Sequence, residues 1–590
     1  EVNTWFKDPP LNTGGGAGIE DFELDPLSTG THILKLVADS TGQIEESSES
    51  DNEFTRTVQV VAPEKQEPQT ISILFPSVQS DGASGTGVAI ANPTDELADV
   101  TLYLLNNDGS LTIGPSITNP RVLSIEPDGQ IAQTIPELFG EGADDVNGWI
   151  LASSENLGIV GFFLNYSQDG KKIDGAEARE LGASSTLVFP EVLSEENAFT
   201  EISLIGVGSI DLELYSADGQ LINTEKITLP ADVAGRFTGK LSEIFSGVSL
   251  SNTYLIARSS KYVIMGYESF GTGEFLAGRN AIPIREIGDK LPTALFGAQL
   301  ADISNIKSVI TLINPTNVAA ELTFSAFRTG VSTNLPSATS TNTLAPKSMI
   351  RVDARSLLGL PPGDFIGWLR VDSDVAGIVG DITFGDPDRT FLSSVQLQTS
   401  PVTDAVFSHV ADGLGFLTGI TFLNPSVDPA AVTLEVFNKA GQKTGTGSFV
   451  LRPLEHNPRL LHEIIPGFEP QIGGYIQVKS DIGIFTFELF SVSVSGKLVV
   501  LAAVPPQIGY GTVTGKITLG FIGTSTQGAQ SDPFEASNSK GIMLDLGSDF
   551  VPGEVIVKFK TTLVSNSVLS LAQDNGWKIA TPGTSGAYLL

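Results

Sequence analysis

The chain has 590 residues, with 34 Lys and Arg against 68 Asp and Glu, which gives a formal net charge of −34. Because phosphate backbones repel a strongly acidic surface, this charge argues against nucleic-acid binding. The chain has no cysteine, which excludes disulfides, thiolate metal ligands and cysteine catalysis. No apolar run reaches the roughly 18 residues of a membrane-spanning helix, so no transmembrane segment is predicted.

The composition favours many short strands joined by turns. Hydrophobic residues make up 41% of the chain, which is enough for packed cores. There are 62 Gly and 33 Pro, while Val, Ile, Thr and Ser recur in short runs. At roughly 100–150 residues per domain, the length predicts about four to six domains.

The N-terminal segment ends in two short strands separated by an acidic turn. The strands are residues 32–39 and 57–60, and the turn is residues 42–52. Residues 20–62 resemble the closing half of the bacterial cell-adhesion-related (CARDB-like) domain, which implies that 1–62 is part of an extracellular immunoglobulin-like β-sandwich. The family's opening strands are missing, so the piece is truncated or another chain supplies them. The polar segment 61–70 is predicted to be a linker.

One pattern then recurs four times, each time opening with an apolar strand that ends in Phe. These residues are Phe75, Phe189, Phe296 and Phe407. The spacings are 189 − 75 = 114, 296 − 189 = 107 and 407 − 296 = 111, which fit a small domain repeated in tandem. We name the predicted domains repeat 1 (70–184), repeat 2 (185–290), repeat 3 (291–402) and repeat 4 (403–510). We expect each to bury its own interior and the four to lie in line.

Turn signals punctuate each repeat. An apolar strand ends in Asn-Pro at Asn92, Asn314 and Asn424, but not in repeat 2. Proline lacks a ladder N–H and favours an extended predecessor, so Asn-Pro ends a strand and starts a turn. An alternating strand follows, and in three repeats it runs into a Gly-containing hairpin turn, at Gly109, Gly219 and Gly441. Repeat 3 has a longer polar stretch at 329–343 instead.

A short apolar segment comes next and predicts one helical turn that plugs the end of the domain. It recurs at 135–139, 241–245, 355–358 and 461–465.

An aromatic strand then carries Trp149, Tyr254, Trp368 and Tyr475. These side chains are predicted to be core residues, and carbohydrate-stacking platforms are the alternative. A further apolar strand begins about ten residues after each aromatic strand, and we expect the two to form a hairpin. About seven strands per repeat predict a mainly β fold of tandem antiparallel immunoglobulin-like β-sandwiches, although a seven-stranded barrel would give a similar pattern.

The C-terminal part begins with a predicted linker, 511–545, that is rich in Gly, Ser, Asn and Gln. Residues 546–590 predict a small α/β piece with a first strand near 555–559, a helix at 567–575 and a last strand at 587–590. The string Pro-Gly-Glu-Val-Ile-Val-Lys-Phe at 552–559 is similar to the first strand of the subtilisin-like protease propeptide. The resemblance implies a pro-region that would precede a protease. The family's catalytic residues have no positions in this sequence.

Residues able to do chemistry are few. The histidines are His32, His409, His456 and His462, and their spacing predicts no metal site. Nucleophile-elbow, phosphate-loop and zinc-helix motifs are absent. Acidic clusters lie at Glu45, Glu46, Glu49 and Asp51 and at Asp144 and Asp145, without EF-hand spacing. Solvated turns are expected there, and loop binding of Ca²⁺ stays open. We assign no catalytic, cofactor-binding or metal-binding residue and expect no enzyme activity in this chain.

The sequence therefore predicts a secreted bacterial protein, outside the cell or on its surface, that acts as a structural, adhesive or spacer rod. Protein partners or further copies would bind at unpaired sheet edges. One alternative is the non-catalytic targeting and pro-region of a secreted subtilisin-like serine protease. Another is a filament subunit whose incomplete end domains complement one another by strand donation. Carbohydrate binding is a further option.

Overall fold

The structure is a computed structural model. It describes residues 30–37, 52–60, 70–180, 184–195, 197–284, 292–330, 335–387, 390–494, 497–507, 556–558, 581–582 and 587–589. The chain divides into two compact units, Glu1–Pro68 and Gln69–Leu590. The fold is mainly β with antiparallel sheets, as predicted, and none of the described helices is long and apolar enough to cross a membrane.

The first unit contains one described hairpin. Strands β1 (Gly30–Val37) and β2 (Glu53–Val60) pair antiparallel, with Gly30 opposite Val60 and Val37 opposite Glu53. Both predicted strands are thus confirmed as strands. The acidic residues Glu45, Glu46, Glu49 and Asp51 and the linker residues 61–69 lie outside the described residues.

The second unit begins with repeats 1 and 2. Repeat 1 contains β3 (Ile71–Ser80), β4 (Ser84–Ala91), β5 (Ala98–Leu105), β6 (Arg121–Ile125), β7 (Gln130–Thr134), α1 (Ile135–Phe139), a 3₁₀ turn (Glu141–Ala143), β8 (Val146–Ser154), β9 (Val160–Ser167), β10 (Ile173–Glu177) and β11 (Arg179–Glu180). Repeat 2 contains β12 (Thr186–Phe189), β13 (Phe199–Gly206), β14 (Ser209–Ser216), β15 (Leu221–Thr228), β16 (Gly235–Lys240), α2 (Leu241–Ile244), β17 (Thr253–Ser259), β18 (Met265–Gly271), β19 (Leu276–Asn280) and β20 (Ile282–Ile284).

Repeats 3 and 4 follow the same order. Repeat 3 contains β21 (Ala294–Asp302), β22 (Lys307–Ile313), β23 (Ala320–Arg328), β24 (Ala338–Leu344), β25 (Met349–Asp353), α3 (Ala354–Leu358), β26 (Phe365–Ser373), β27 (Val379–Gly385) and β28 (Leu392–Gln396). Repeat 4 contains β29 (Val402–Phe407), β30 (Ala411–Asp412), β31 (Phe416–Leu423), β32 (Ala430–Phe437), β33 (Lys443–Leu451), β34 (His456–Leu460), α4 (Leu461–Ile464), β35 (Gln471–Ile472), β36 (Tyr475–Val494) and β37 (Lys497–Val504). The described C-terminal strands are β38 (Ile556–Lys558), β39 (Thr581–Pro582) and β40 (Ala587–Leu589).

Each repeat has two layers of strands, which are separate sheets in repeat 2. The layers are joined by one pair between the first and second strands in repeat 1 (Ser80 with Gly85) and repeat 3 (Asp302 with Lys307), and by the long strand β36 in repeat 4. In repeat 2, one sheet has the order β15-β14-β17-β12-β20, and the other has the order β16-β13-β18-β19. Repeats 1, 3 and 4 pair their corresponding strands in the same way.

In numbering the strands of a repeat, we leave out the two-residue strands β30 and β35 and count β36 as both the sixth and the seventh strand of repeat 4. We call the sheet that holds the first, third, fourth and sixth strands of a repeat its acceptor sheet. We call the sheet with the second, fifth, seventh and eighth strands its donor sheet.

One local prediction about the strands needs correction. The aromatic strand and the apolar strand after it are not a hairpin, because β8 pairs with β3 and β5 whereas β9 pairs with β4 and β10. The connection crosses from one sheet to the other, and in repeat 4 the single long strand β36 serves both sheets. The polar stretch 329–343 also contains a strand, β24, whose polar side chains lie at an exposed sheet edge.

The Asn of each Asn-Pro pair ties a loop to the end of the sandwich. Asn314 is fully buried, and its Nδ2 donates to the carbonyls of Val318 (2.7 Å), Leu344 (3.1 Å) and Ala345 (3.1 Å). Its Oδ1 accepts from the backbone N–H of Thr316 at 3.0 Å. Asn92 and Asn424 make the corresponding bonds. Proline begins the turn, and the buried amide holds the turn in place.

The predicted helical turns are confirmed in all four repeats. Each of α1 to α4 has four or five residues and follows the fifth strand. In α1 the buried side chains Ile135, Leu138 and Phe139 belong to the core of repeat 1. The helices therefore plug their own sandwiches.

The four repeats form a closed ring rather than the line expected from their tandem order. Strands β10, β19, β28 and β37, the eighth strand of each repeat, contact one another in cyclic order around the centre. Repeat 4 contacts repeat 1 directly, since Gln507 Nε2 donates to the carbonyl of Gly161 at 2.6 Å. The expected linear arrangement of the four repeats is wrong because the acceptor sheets carry apolar side chains on both faces. The outer face is covered by the donor sheet of the next repeat.

The buried Asn of the Asn-Pro turn predicts a loss of stability when its side chain is shortened to Ala. Replacing Asn314 by Ala leaves three buried or partly buried carbonyls without their donor, so we expect a loss of about 1–3 kcal/mol in the free energy of unfolding. Asn317→Ala, at an exposed position in the same loop, is the matched control and should change stability by less than about 0.5 kcal/mol. Equal losses in urea unfolding of the two variants would contradict the role given to the buried amide.

Closure of the ring predicts that substitution by Ala lowers stability more at Gly441 than at Gly330, which has the same φ. Gly441 and Gly330 both have φ of 77°, so Ala is strained at either site. A Cβ at Gly441 would lie 2.5 Å from the carbonyl oxygen of Pro127 in repeat 1, whereas a Cβ at Gly330 meets nothing within 4 Å. We expect Gly441→Ala to cost about 1–3 kcal/mol more than Gly330→Ala in thermal or urea unfolding. An equal cost would contradict the contact between repeats 4 and 1.

Candidate functional site at the joints of the ring

The joint between two successive repeats pairs the outer face of one acceptor sheet with the donor sheet of the next repeat. In the first joint, Leu74, Trp149 and Leu151 of repeat 1 pack on Ile205 and Met265 of repeat 2. Side chains that alternate with these along the same strands, such as Phe75 and Ile150, point into the core of repeat 1. This explains the uninterrupted apolar runs of the aromatic strands, because both faces are buried.

The four recurring aromatics lie in these joints and are at most 2% exposed. Three of them stack on an aromatic ring of the neighbouring strand, at centroid distances of 5.5 Å for Tyr215–Tyr254, 4.1 Å for Phe327–Trp368 and 4.8 Å for Phe437–Tyr475. Tyr254 donates its hydroxyl to the carbonyl of Lys347 in the next repeat at 2.6 Å. Their burial is as predicted, but it is shared between repeats. In the folded ring they are not accessible as carbohydrate platforms.

A second element of the joint is one side chain that enters the core of the preceding repeat. In each repeat, one residue of the seventh strand pairs with a given residue of the second strand, and the inserted side chain belongs to the next residue along the chain. The second-strand residues are Ile90, Leu204, Leu312 and Phe422 in repeats 1 to 4. Phe162 reaches the core of repeat 4, Tyr267 that of repeat 1 and Phe487 that of repeat 3. We call this inserted residue the knob. In repeat 3 the knob is Asp381, which is fully buried.

Repeat 2 carries charged residues where the acidic knob enters its core. Arg279 Nη1 lies 2.9 Å from Asp381 Oδ2, and Arg279 Nε lies 2.8 Å from Glu268 Oε1. Ser394 also donates its hydroxyl to Asp381 Oδ2 at 2.8 Å. At the corresponding positions, repeat 1 has Phe163 paired with Ala176 and repeat 3 has Ile382 paired with Val395, whereas repeat 4 has Glu488 paired with Val504 and no basic residue. One joint of the four is thus built around buried charges.

Further charged groups face this cluster. Glu191 accepts a hydrogen bond from Thr311 Oγ1 at 2.8 Å, and Arg351 Nε lies 3.5 Å from Glu191 Oε1. Burial raises the pKa of Glu268 to about 8, although Arg279 acts against it. Burial likewise raises the pKa of Asp381 to about 7, again against Arg279. The cluster therefore favours retention of a proton near neutral pH.

Glu488 occupies the position of Glu268 in repeat 4, but it has no basic neighbour there. It is 0% exposed, its cross-strand neighbour is Val504, and neither carboxylate oxygen has a hydrogen-bond partner. Burial raises its pKa well above the usual value of a glutamate. Its protonated form is the one that such an apolar site tolerates.

Two of the four histidines are joint residues. His456 is buried between two side chains of repeat 3, with Nδ1 2.6 Å from Thr329 Oγ1 and Nε2 3.0 Å from Gln299 Oε1. Burial lowers the pKa of His456 to about 3 and that of His409 to about 4. Both are therefore neutral hydrogen-bonding groups. His462 lies in α4 and His32 in β1, so the structure does not gather the histidines into one site.

The remaining candidates for ligand binding are small or exposed. In the described part of the chain, no group of three or more His, Cys, Asp or Glu is placed to hold a metal ion. Asp144 and Asp145 are exposed. A small open depression lies at the centre of the ring, with about 170 Å³ of empty space that includes open solvent. It is lined by Lys171, Lys172, Ile173, Phe275, Leu276, Thr390, Phe391, Leu392 and Leu501.

The joint residues Glu268, Arg279, Asp381 and Glu488 were not predicted from the sequence. Their signal was a charged residue within an otherwise apolar strand. Aligning the four repeats would have shown Asp381 where Phe162 and Phe487 stand.

The buried cluster predicts that stability falls as pH rises. Glu268 and Asp381 have folded-state pKa values of about 8 and about 7, above the unfolded values near 4. The folded state therefore holds protons that the unfolded state has lost. Their contribution to stability is fully present below about pH 4 and is lost as pH rises through about 8. We expect Glu268→Gln to reduce the fall in unfolding free energy between pH 5 and pH 9, measured by urea unfolding, with exposed Glu243→Gln as the control.

A second variant tests the cluster by copying the other joints. Replacing Glu268 by Ile, Arg279 by Val and Asp381 by Phe together should leave stability unchanged or raise it by about 1–4 kcal/mol. Arg279→Val alone should cost about 3–5 kcal/mol, because it leaves buried carboxylates unpaired. The triple variant should lose the part of the pH dependence that these groups cause and keep the part that comes from Glu488, whose pKa burial also raises. An equal fall in stability between pH 5 and pH 9 in the triple variant and the wild type would contradict the assignment to Glu268 and Asp381.

The chain matches no protein-family model and no curated protein.

Proposed function

We propose that the chain is a non-catalytic structural and adhesive module of an extracellular protein, with the ring as a rigid platform. The observation that carries the proposal is the position of the ionisable groups with strongly shifted pKa values. Glu268, Asp381, His409 and His456 all lie in joints, where protein groups already satisfy or surround them. Perturbed groups of this kind often mark a reaction site, but here they serve to hold repeats together.

The extracellular location is supported by the N-terminal segment and by charge. Residues 20–62 resemble a cell-adhesion-related domain, and β1 and β2 pair as closing strands of such a domain would. The net charge of −34 keeps a large exposed protein soluble and limits self-association.

The outer edges of the acceptor sheets are the surfaces we propose for protein partners. Strands β15, β24 and β33 are the terminal strands of their sheets among the described residues, and each pairs on one side only. Their free N–H and C=O groups can accept a further strand. Leu221 and Val450 on these strands are exposed apolar side chains, which adds side-chain contacts to that backbone pairing.

The test uses the organism that carries the gene. Antibody against the chain should detect it on intact cells or in the culture medium, and proteinase K added to intact cells should remove the cell-bound signal. Cells lacking the chain should attach less to a surface, and a copy with Gly330→Ala should restore attachment better than one with Gly441→Ala. A signal that appears only after lysis would overturn the extracellular role.

A second candidate is the pro-region of a subtilisin-like protease, favoured by one observation. Strand β38, which carries the resemblance, pairs antiparallel with β40, with Ile556 opposite Leu589. First and last strands of the segment are thus neighbours in one sheet. The full chain should then inhibit a subtilisin-like protease acting on a peptide substrate, and a chain ending at residue 545 should not. Equal inhibition by both chains would remove this candidate.

A further inference from the structure

The joint that closes the ring is built like the joints between consecutive repeats. In three joints a backbone N–H at the start of the fifth strand donates to the third-to-fourth-strand turn of the preceding repeat. These bonds are Arg236 N to Asn107 O (2.8 Å), Met349 N to Ala217 O (2.8 Å) and, across the closure, Gln130 N to Lys439 O (3.1 Å). The fourth-to-first joint therefore has the construction of a joint between neighbours, although its two repeats are not consecutive in the chain.

Polar side chains fit the two faces of the closure to each other. Gln130 Nε2 donates to the carbonyl of Ser408 at 2.9 Å, while its Oε1 accepts from the N–H of Gly474 at 3.0 Å. Gln507 Nε2 donates to the carbonyls of Gly161 and Ala178 in repeat 1. These bonds fix both the position and the register of repeat 1 on repeat 4.

Apolar contacts make an open closure costly. Val406 and Tyr475 are fully buried against Ala91 and Val160 of repeat 1. Phe162, the knob of repeat 1, lies in the core of repeat 4 at 6.2 Å from the ring of Phe490. If repeat 1 leaves, repeat 4 loses part of its own core, so its face needs a replacement of the same shape.

We infer that this replacement is repeat 1 of a second copy of the chain, so that chains exchange their first repeats and each repeat 1 packs between repeats 4 and 2 of another copy. The contact is heterologous, and a heterologous contact closes into a ring or continues into an open chain. Exchange preserves every hydrogen bond and every buried side chain of the closed monomer. This inference names a partner and does not depend on the extracellular role, so either can fail alone.

Repeat 1 contacts both repeat 2 and repeat 4, through β10 with β19 and β37, so its two joints exchange together while the joints among repeats 2, 3 and 4 stay formed. Repeats 3 and 4, for example, are connected by residues 397–401 between β28 and β29, which keeps their joint within one chain. In the closed monomer, intramolecular closure competes with exchange at an effective concentration on the order of 1 mM. The exchanged form is therefore expected at high chain concentration.

The experiment uses the absence of native cysteine. Gln130→Cys with Lys439→Cys places a disulfide across the closure, between residues already joined by a backbone hydrogen bond. Ala217→Cys with Met349→Cys places a matched disulfide across the second joint, which leaves the closure free to open. Each full chain, oxidised as a monomer, is unfolded in urea and refolded at ~10 µM to ~1 mM, a range that brackets the effective concentration of closure. The products are then diluted and analysed by size-exclusion chromatography with light scattering.

Wild type and the matched control should give dimers or longer species that persist on dilution. While monomer predominates, the dimer-to-monomer ratio should rise about tenfold for each tenfold increase in chain concentration, as mass action requires. The closure-locked variant should give monomer alone, and reduction should restore exchange. Monomeric wild type at every concentration would overturn the inference whatever the variants do. So would equal dimer formation by the locked variant, which would place the contact on the free sheet edges.

Discussion

The structure depends on one constraint: each repeat completes its core with side chains of the next repeat. Phe162, Tyr267 and Phe487 each leave their own sandwich and fill the preceding one. A sandwich of this kind cannot stand alone without exposing apolar surface, and a row of them would leave the last core unfilled. Closing the row into a ring removes that defect, because repeat 1 fills repeat 4.

The same constraint accounts for the unusual polar residues. Where the knob is Asp381, an apolar core would leave a buried charge unpaired, and Arg279 supplies the partner. This pair distinguishes the second joint from the other three. An aromatic knob would leave Arg279 and Glu268 of repeat 2 without Asp381, and Asp381 would have no basic partner in the other cores. Buried charge of this sort can specify which surfaces belong together, as polar residues do in coiled coils.

Burial inside joints also accounts for the shifted pKa values. His409 and His456 have lowered pKa values because the joints exclude water, and Glu488 has a raised one for the same reason. Their neighbours are amides, hydroxyls and rings of the protein itself. The surface that we propose for partners is the outer edge of each acceptor sheet, where polar strands such as β24 lie.

The sequence by itself determined the mainly β fold, the fourfold repetition, the Asn-Pro turns, the short helices and the burial of Trp149 and its counterparts. These features follow from local patterns of period two, proline geometry and apolar clustering, which act within a few residues. The tertiary structure alone decided that the aromatic strand and its successor belong to different sheets, that the row closes into a ring and that Asp381 meets Arg279. These contacts join residues about a hundred or more positions apart, and an apolar run reads the same whether its second face is covered by its own repeat or by the next.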